Sequence, residues 1–228
     1  MSAIHRLIPT PLAIVLNLFA LSLAMSLSAL NSAQATELNN HLSQLGWQIH
    51  HLKSATHYQP LEIAGEAIIQ STSKQSASLL IKQQTVNLNK TPLLTWSWRT
   101  DALIKSTHPK PEKTKSGDDF VARIHVVAKG FLPWQVHVLN YVWSAQYPVG
   151  ADWDNPYTDK EKMIVVETGD AGLHLWQSYQ RNIQSDFKQY FDLDVSKISA
   201  YAIMTDTDNT QGEASAYFKD IRFIAGQH

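Results

Sequence analysis

Phe120-Val-Ala-Arg-Ile-His-Val-Val-Ala128 is followed, after residues 129–133, by Trp134-Gln-Val-His-Val-Leu-Asn-Tyr-Val-Trp143. Both runs are rich in Val, Ile and aromatic residues, with polar residues recurring at every second position, the pattern of half-buried strands. A short connection between two such strands predicts an antiparallel pair. In the first, Ala122, Ile124 and Val126 share the side expected to face a core, and Arg123 and His125 share the other. In the second, Val136, Val138 and Val142 take one side, and Gln135, His137, Leu139, Tyr141 and Trp143 the other. With the valine sides turned inward, Arg123, His125, Gln135, His137, Tyr141 and Trp143 are expected to line one polar, aromatic-edged ligand surface.

The pattern continues outward in both directions. Leu61–Gln70, Ala77–Lys82, Leu93–Thr100, Met163–Thr168, Ile198–Thr205 and Ala214–Ile224 read as further strands. Turn residues separate them, as in Asn89-Lys-Thr-Pro92, Pro148-Val-Gly150 and Asp206–Gly212. Trp96 and Trp98 share a strand side with Leu94, which assigns them to the core. Ile183, Phe187 and Phe191 recur every four residues after Asn182, so one short amphipathic helix is expected there. The basic run Lys105–Lys115 reads as a solvated loop. No repeat and no linker interrupts residues 36–228, which are expected to form a single domain. The fold class is all-β, an antiparallel β-sandwich resembling jelly rolls and carbohydrate-binding modules, with one short helix.

Composition narrows the function classes. Lys and Arg number 19 against 20 Asp and Glu in 228 residues, so no basic stripe favours nucleic acid. Cysteine is absent, which removes disulfides, thiol nucleophiles and thiolate metal sites. No charge lies between Arg6 and Glu37, and the apolar run Leu12–Leu30 ends in Ala33-Gln-Ala35. That is a signal-peptide pattern: residues 1–35 are expected to be removed before Thr36. The run is nearly long enough to be an uncleaved anchor, but its Ser and Asn residues and the cleavage pattern favour removal. The expected location is the periplasm or outside the cell, with no stable membrane insertion after cleavage.

A set of phrases carries a family resemblance. They are Leu94-Thr-Trp-Ser-Trp-Arg99, Ser116-Gly-Asp-Asp-Phe-Val-Ala-Arg123, Asn140-Tyr-Val-Trp143, Gln180-Arg-Asn-Ile183, Ile203-Met-Thr-Asp-Thr-Asp-Asn-Thr210 and Asp220-Ile-Arg-Phe223. Together they resemble an uncharacterised exported bacterial family, domain of unknown function 3047, from about Leu61 to Ile224. The resemblance implies an exported β-rich domain with no assigned activity. The closing phrase is also similar to the last strand of carbohydrate-binding jelly rolls.

Three chemistries are compatible with the residues. Asp206, Asp208 and Asn209 in a polar loop could serve as oxygen ligands for calcium, although the EF-hand pattern fails at Gln211 and Tyr217. Alternatively, these residues close turns onto backbone N–H groups. Asp118 and Asp119 precede a strand, and one of them is placed to pair with Arg123. Gln135-Val-His137 and Tyr217-Phe-Lys219 resemble phrases of alginate-lyase jelly rolls. That resemblance implies an acidic-polymer lyase using Arg123, Gln135, His137, Tyr217 and Lys219. An Arg-x-Glu-x-Arg strand is missing, and no zinc, phosphate-loop or nucleophile-elbow motif occurs. The leading expectation is a non-catalytic β-sandwich that binds a carbohydrate or cell-envelope polymer and needs no cofactor. The lyase stands second and a structural envelope protein third.

Overall fold

Trp96 and Trp98 project from one sheet onto Tyr141 and Trp143 of another, and this contact sets the architecture. The computed structural model describes residues 36–130 and 135–226; the signal-peptide reading of residues 1–35 lies outside them. Residues 36–44 are helical, a second helix beyond the one expected. No helix among the described residues is long and apolar enough to cross a membrane.

The strands run β1 (Gln48–His51), β2 (His57–Ile63), β3 (Glu66–Lys74), β4 (Ser78–Lys82), β5 (Val86–Asn87), β6 (Leu93–Thr100) and β7 (Arg123–Lys129). They continue as β8 (Val136–Ser144), β9 (Asp152–Asp154), β10 (Glu161–Thr168), β11 (Gln177–Asn182), β12 (Lys197–Ile198), β13 (Ala200–Met204) and β14 (Glu213–Ile224). Within Leu42–His228, a seven-stranded sheet in the order β1-β4-β13-β7-β8-β10-β9 faces a five-stranded sheet, β11-β6-β14-β3-β2. The strands β5 and β12 form a small separate pair. The result is the expected β-sandwich of jelly-roll type. Its pairs are antiparallel except β8 and β10, which run parallel because the chain leaves β8, forms edge strand β9 and returns between them.

The core between the sheets is aromatic. Trp96 stacks on Tyr141 and on Tyr179, each with ring centroids 5.3 Å apart, and Trp98 meets Phe218 edge-on at 6.5 Å. Leu94, Trp96 and Trp98 are all buried, as the strand pattern required. Removing each large ring from water contributes on the order of 1.5–3 kcal/mol. A smaller apolar layer of Phe120, Val142, Met163 and Val165 lies on the far face of the seven-stranded sheet, against Tyr147 and Trp153. Consequently β8 is buried on both faces from Val138 to Ser144.

Two local features depart from expectation. Leu61–Gln70 is not one strand: Ala64 and Gly65, both at positive φ (54° and 79°), turn the chain into the β2–β3 hairpin. A two-residue hairpin turn needs that left-handed geometry, which Gly65 adopts freely and Ala64 does not. The basic loop is not wholly solvated either. Glu112 is buried, accepting from the Ser144 hydroxyl and from Ala145 N at 2.7 Å. Lys113 Nζ lies over Tyr147 and Trp153, 4.3 and 5.0 Å from their ring centres.

Helix α2 (Ile183–Phe191; α1 being residues 36–44) forms where the four-residue spacing placed it. Asn182 caps it, its Oδ1 accepting from Ser185 N at 3.1 Å. Ile183 and Phe187 are fully buried.

Candidate functional site

Register decides which side chains meet. In the β7–β8 pair Arg123 is opposite Val142, Ile124 opposite Tyr141, His125 opposite Asn140 and Ala128 opposite His137. Directly opposed residues share a face. Arg123 and His125 therefore lie on the outer face of the seven-stranded sheet with Asn140 and Val142. His137, Tyr141 and Trp143 point the other way, toward the five-stranded sheet. The expected surface of Arg123, His125, Gln135, His137, Tyr141 and Trp143 does not exist as one face. Tyr141 is 0% and Trp143 1% exposed, so neither is a platform for a ligand. The cause is a phase error of one residue in β8, whose two sides are both apolar enough to be buried.

What the outer face holds instead is a groove of about 470 Å³. Its floor is aliphatic, built from Leu79 and Ile81 of β4, Ala202 and Met204 of β13, and Val127 and Val138. One end is charged, with Asp118, Arg123, Asp206 and Asp208, and Lys53, Tyr157 and Asn209 line it too, while Glu161 of β10 stands opposite Val138 of the floor. Strand β7 supplies Arg123; the loop before it supplies Asp118, and the Thr205–Gln211 loop after β13 supplies Asp206 and Asp208.

Arg123 is 4% exposed and donates through Nη2 to Asp206 Oδ2 at 3.0 Å and to Asp118 Oδ1 at 3.3 Å. Burial alone would depress this guanidinium, but Asp118 and Asp206 beside it hold it above its ordinary value. Burial pushes the Asp118 carboxyl up, and Arg123 and Asn155 oppose the shift. Asp118 Oδ2 also accepts from Asn155 Nδ2 at 3.2 Å, and Asp206 Oδ1 from Phe120 N at 3.2 Å. Next to this array His125 is 8% exposed, and burial followed by the Arg123 charge lowers its pKa well below the ordinary range. The Asn140 side chain beside it opposes that shift, and Nε2, sealed from solvent, makes no hydrogen bond of ordinary geometry, nor do the buried Arg123 Nε and Asn140 Oδ1. Asn140 Nδ2 donates to Glu161 Oε2 at 3.2 Å.

The calcium reading changes its membership. The carboxylate oxygens that approach within 4.8 Å of one another belong to Asp119, Asp206 and Asp208. Asn209 is not aimed at them as a ligand. Its Oδ1 accepts from the Tyr157 hydroxyl at 3.1 Å, while its N and Nδ2 donate to Asp119 Oδ1 at 3.1 and 3.2 Å. Asp119 Oδ2 accepts from Thr210 N and Oγ1, both at 2.6 Å. Asp119 thus closes the Asp206–Gly212 turn onto backbone N–H groups, the role that the sequence had offered to Asp206, Asp208 and Asn209 instead.

The lyase set is dispersed. Tyr217 and Lys219 project from β14 on the outer face of the five-stranded sheet, with the core between them and Arg123. There Tyr217 lies under Arg99, 4.7 Å from ring centre to guanidinium, and Lys219 pairs with Glu66 at 2.5 Å. His137 packs edge-on against Phe191 at 5.0 Å, and the Gln135 carbonyl accepts from Gly130 N at 2.6 Å. No single pocket can contain these five residues, so the acidic-polymer lyase loses its active site.

For Arg181 and Asp186 the sequence left helix entry and a buried ion pair equally open, and the structure forms the pair. Arg181 grips Asp186 through Nε at 2.8 Å and Nη2 at 2.6 Å, and the Tyr141 hydroxyl donates to the same carboxylate at 2.5 Å. Burial, then Asp186, pushes the Tyr141 phenol far above its ordinary value. This latch ties the helix and β11 to β8. Glu161, Tyr157 and Lys53 were also missed as groove residues; neither type nor spacing in the sequence marks them.

The molecule is therefore a two-sheet β-sandwich with a charged-ended groove on the outer face of its larger sheet. It belongs to the family described as protein of unknown function, DUF3047, whose model matches residues 45–222. None of the curated proteins matches the chain. Among solved structures it is similar to the xyloglucanase domain of NopAA, a type three effector from Sinorhizobium fredii, in complex with cellobiose. That alignment has 10% identity, covers 79% of this chain and 93% of the other, and has a TM-score of 0.42. A non-crystalline cellulose specific carbohydrate-binding module, CBM28, aligns at 9% identity over 80% of this chain and 90% of its own, TM-score 0.38. Endoglucanase 3 from Trichoderma harzianum, of family GH12, aligns at 10% identity over 79% and 90%, TM-score 0.39.

Proposed function

We propose that this is an exported saccharide-binding protein whose ligand lies in the groove of the seven-stranded sheet. The observation that carries the reading is the groove's division into an aliphatic floor and a polar end. A pyranose ring offers both complements, C–H faces for the floor and hydroxyls for carboxylates, amides and imidazole. The half-exposed Tyr157 ring, 55% accessible at the rim, adds a stacking surface. Binding rather than turnover is the reading that the engagement of the two buried carboxylates supports. Each oxygen of Asp118 and Asp206 already accepts a hydrogen bond, which fixes them as structural acceptors. The ligand is a polymer of the cell envelope or its surroundings, in keeping with export through residues 1–35.

The test is calorimetric titration of the purified protein with oligosaccharides of different charge, repeated on Tyr157→Ala and Val138→Arg. Saturable binding weakened by both changes supports the reading; binding that neither change touches places the ligand elsewhere. Export is tested by the intact mass of the protein recovered outside the cytoplasm, expected to correspond to residues 36–228. An unprocessed mass rejects cleavage at Ala35.

A further inference from the structure

The segment from Lys105 to Lys115 carries four lysines and a single acid. The fold withdraws the acid. Glu112 is 4% exposed and both its oxygens are engaged, Oε2 by the Ser144 hydroxyl and Oε1 by Ala145 N at 2.7 Å. Lys105, Lys110, Lys113 and Lys115 stay exposed, and among the described residues no ion pair reaches any of them. The loop is held in place. Thr114 N donates to Pro111 O at 3.0 Å and Gly117 N to Thr114 O at 2.9 Å, while Gln146 Nε2 donates to Lys110 O at 2.8 Å and the Tyr157 hydroxyl to Lys115 O at 3.0 Å. Two of the lysines lie on aromatic rings as a result. Lys113 covers the Tyr147 and Trp153 pair, and Lys115 Nζ is 5.3 Å from the centre of the Tyr157 ring. The acids flanking Trp153, Asp152 and Asp154, meet Lys162 at 3.8 and 2.6 Å. Near Tyr157, Asp118 and Asp206 share Arg123, and Asp208 meets Lys53. The excess charge of this surface is therefore positive.

We propose that this lysine ridge is a second binding surface, for an acidic polysaccharide whose successive carboxylates meet Lys110, Lys113 and Lys115. Charge complementarity selects the partner: ammonium groups with no acid of their own attract a chain of spaced anions. The half-exposed Tyr157 ring beside Lys115 offers the flat face that the C–H side of a uronate ring covers, while the ammonium takes its carboxylate. An acidic polypeptide has no such face to offer. None of residues 105–117 presents a large exposed apolar side chain to enter a bilayer, so a lipid surface fits less well. Of the three rings, only Tyr157 also lines the groove, and the proposal does not rest on a ligand there.

The experiment is calorimetric titration of the purified protein with polygalacturonate, dextran and polyglutamate, and co-sedimentation with vesicles of phosphatidylcholine and phosphatidylglycerol. Polygalacturonate is expected to bind more tightly than dextran or polyglutamate, and to weaken as salt rises from about 50 to about 500 mM. Lys110→Gln, Lys113→Gln and Lys115→Gln together should weaken it at least about tenfold. The same three positions changed to Arg should restore binding, and Val138→Arg in the groove should leave it unchanged. A glutamine variant that binds like wild type overturns the proposal. Loss of binding in Val138→Arg alone overturns it too, by placing the polymer in the groove, and leaves the groove reading standing. Polyglutamate binding as tightly as polygalacturonate removes the sugar from the recognition. Lysine-dependent binding to the vesicles without binding to polygalacturonate makes the partner a lipid surface and overturns the proposal.

Discussion

The Arg123 guanidinium and the Asp206 carboxylate meet at 3.0 Å, 83 residues apart in sequence, with neither side chain more than 4% exposed. Asp118 completes the arrangement, so one cation compensates two buried acids. Breaking such an arrangement from the cationic side leaves uncompensated charge. Arg123→Met is expected to cost on the order of 3–5 kcal/mol in urea unfolding. Replacing Asp206 by Asn in the same background should recover part of that loss. A single variant costing under about 1 kcal/mol would mean that the acids are protonated in the native protein.

His125 predicts a pH effect with a definite sign. Its folded pKa lies below its unfolded value, because of burial and then the Arg123 charge. The unfolded chain therefore binds the proton first, at about pH 6.5, and the folded form loses stability as the pH falls below that point. His125→Gln removes this component. Between roughly pH 7 and roughly pH 5 the variant's unfolding free energy should fall less steeply than wild type's. Parallel slopes would show that the imidazole accepts its proton without unfolding cost.

The Tyr141–Asp186–Arg181 latch should rank variants in a fixed order. Asp186 is 4% exposed and serves three donors, so Asp186→Ala is expected to cost about 3–5 kcal/mol. Asn182→Ala removes one cap bond and should cost about 1 kcal/mol. Chemical denaturation of the two variants checks the order, and a reversal would make capping, not the latch, the anchor of the helix.

The calcium question turns on Asp119. Both its oxygens are engaged, by Asn209 and Thr210, and Asp206 is engaged by Arg123 and Phe120. With the donors already in place, adding calcium or chelator should leave the thermal midpoint unchanged. Asp119→Ala should lower it in either medium, by about 1–3 kcal/mol of stability. A calcium-dependent rise in wild type, lost in Asp208→Asn, would instead make the three acids a metal site.

Much of the fold was legible along the chain. The alternation in Leu93–Thr100 identified the buried tryptophans, and the spacing from Ile183 to Phe191 identified the helix. The Asp118–Arg123 proximity was legible as well, because five residues of turn and strand entry bring the two together. Gly65 was a visible turn signal, but Ala64 beside it hid the hairpin.

The sequence by itself determined a two-layer β-sandwich, because strand alternation and aromatic content are local properties that any packing must respect. Only the tertiary structure decided which face each functional residue occupies. Strand β8 is apolar on both sides, and a shift of one residue inverts every side chain, so its pattern contained no information about phase. The β7–β8 register separated Arg123 and His125 from Tyr141 and Trp143, and long-range pairing then brought Asp206, Asp208 and Glu161 to the groove. Those groups line one groove because strands and loops distant in sequence converge on it, and no spacing along the chain encodes that meeting.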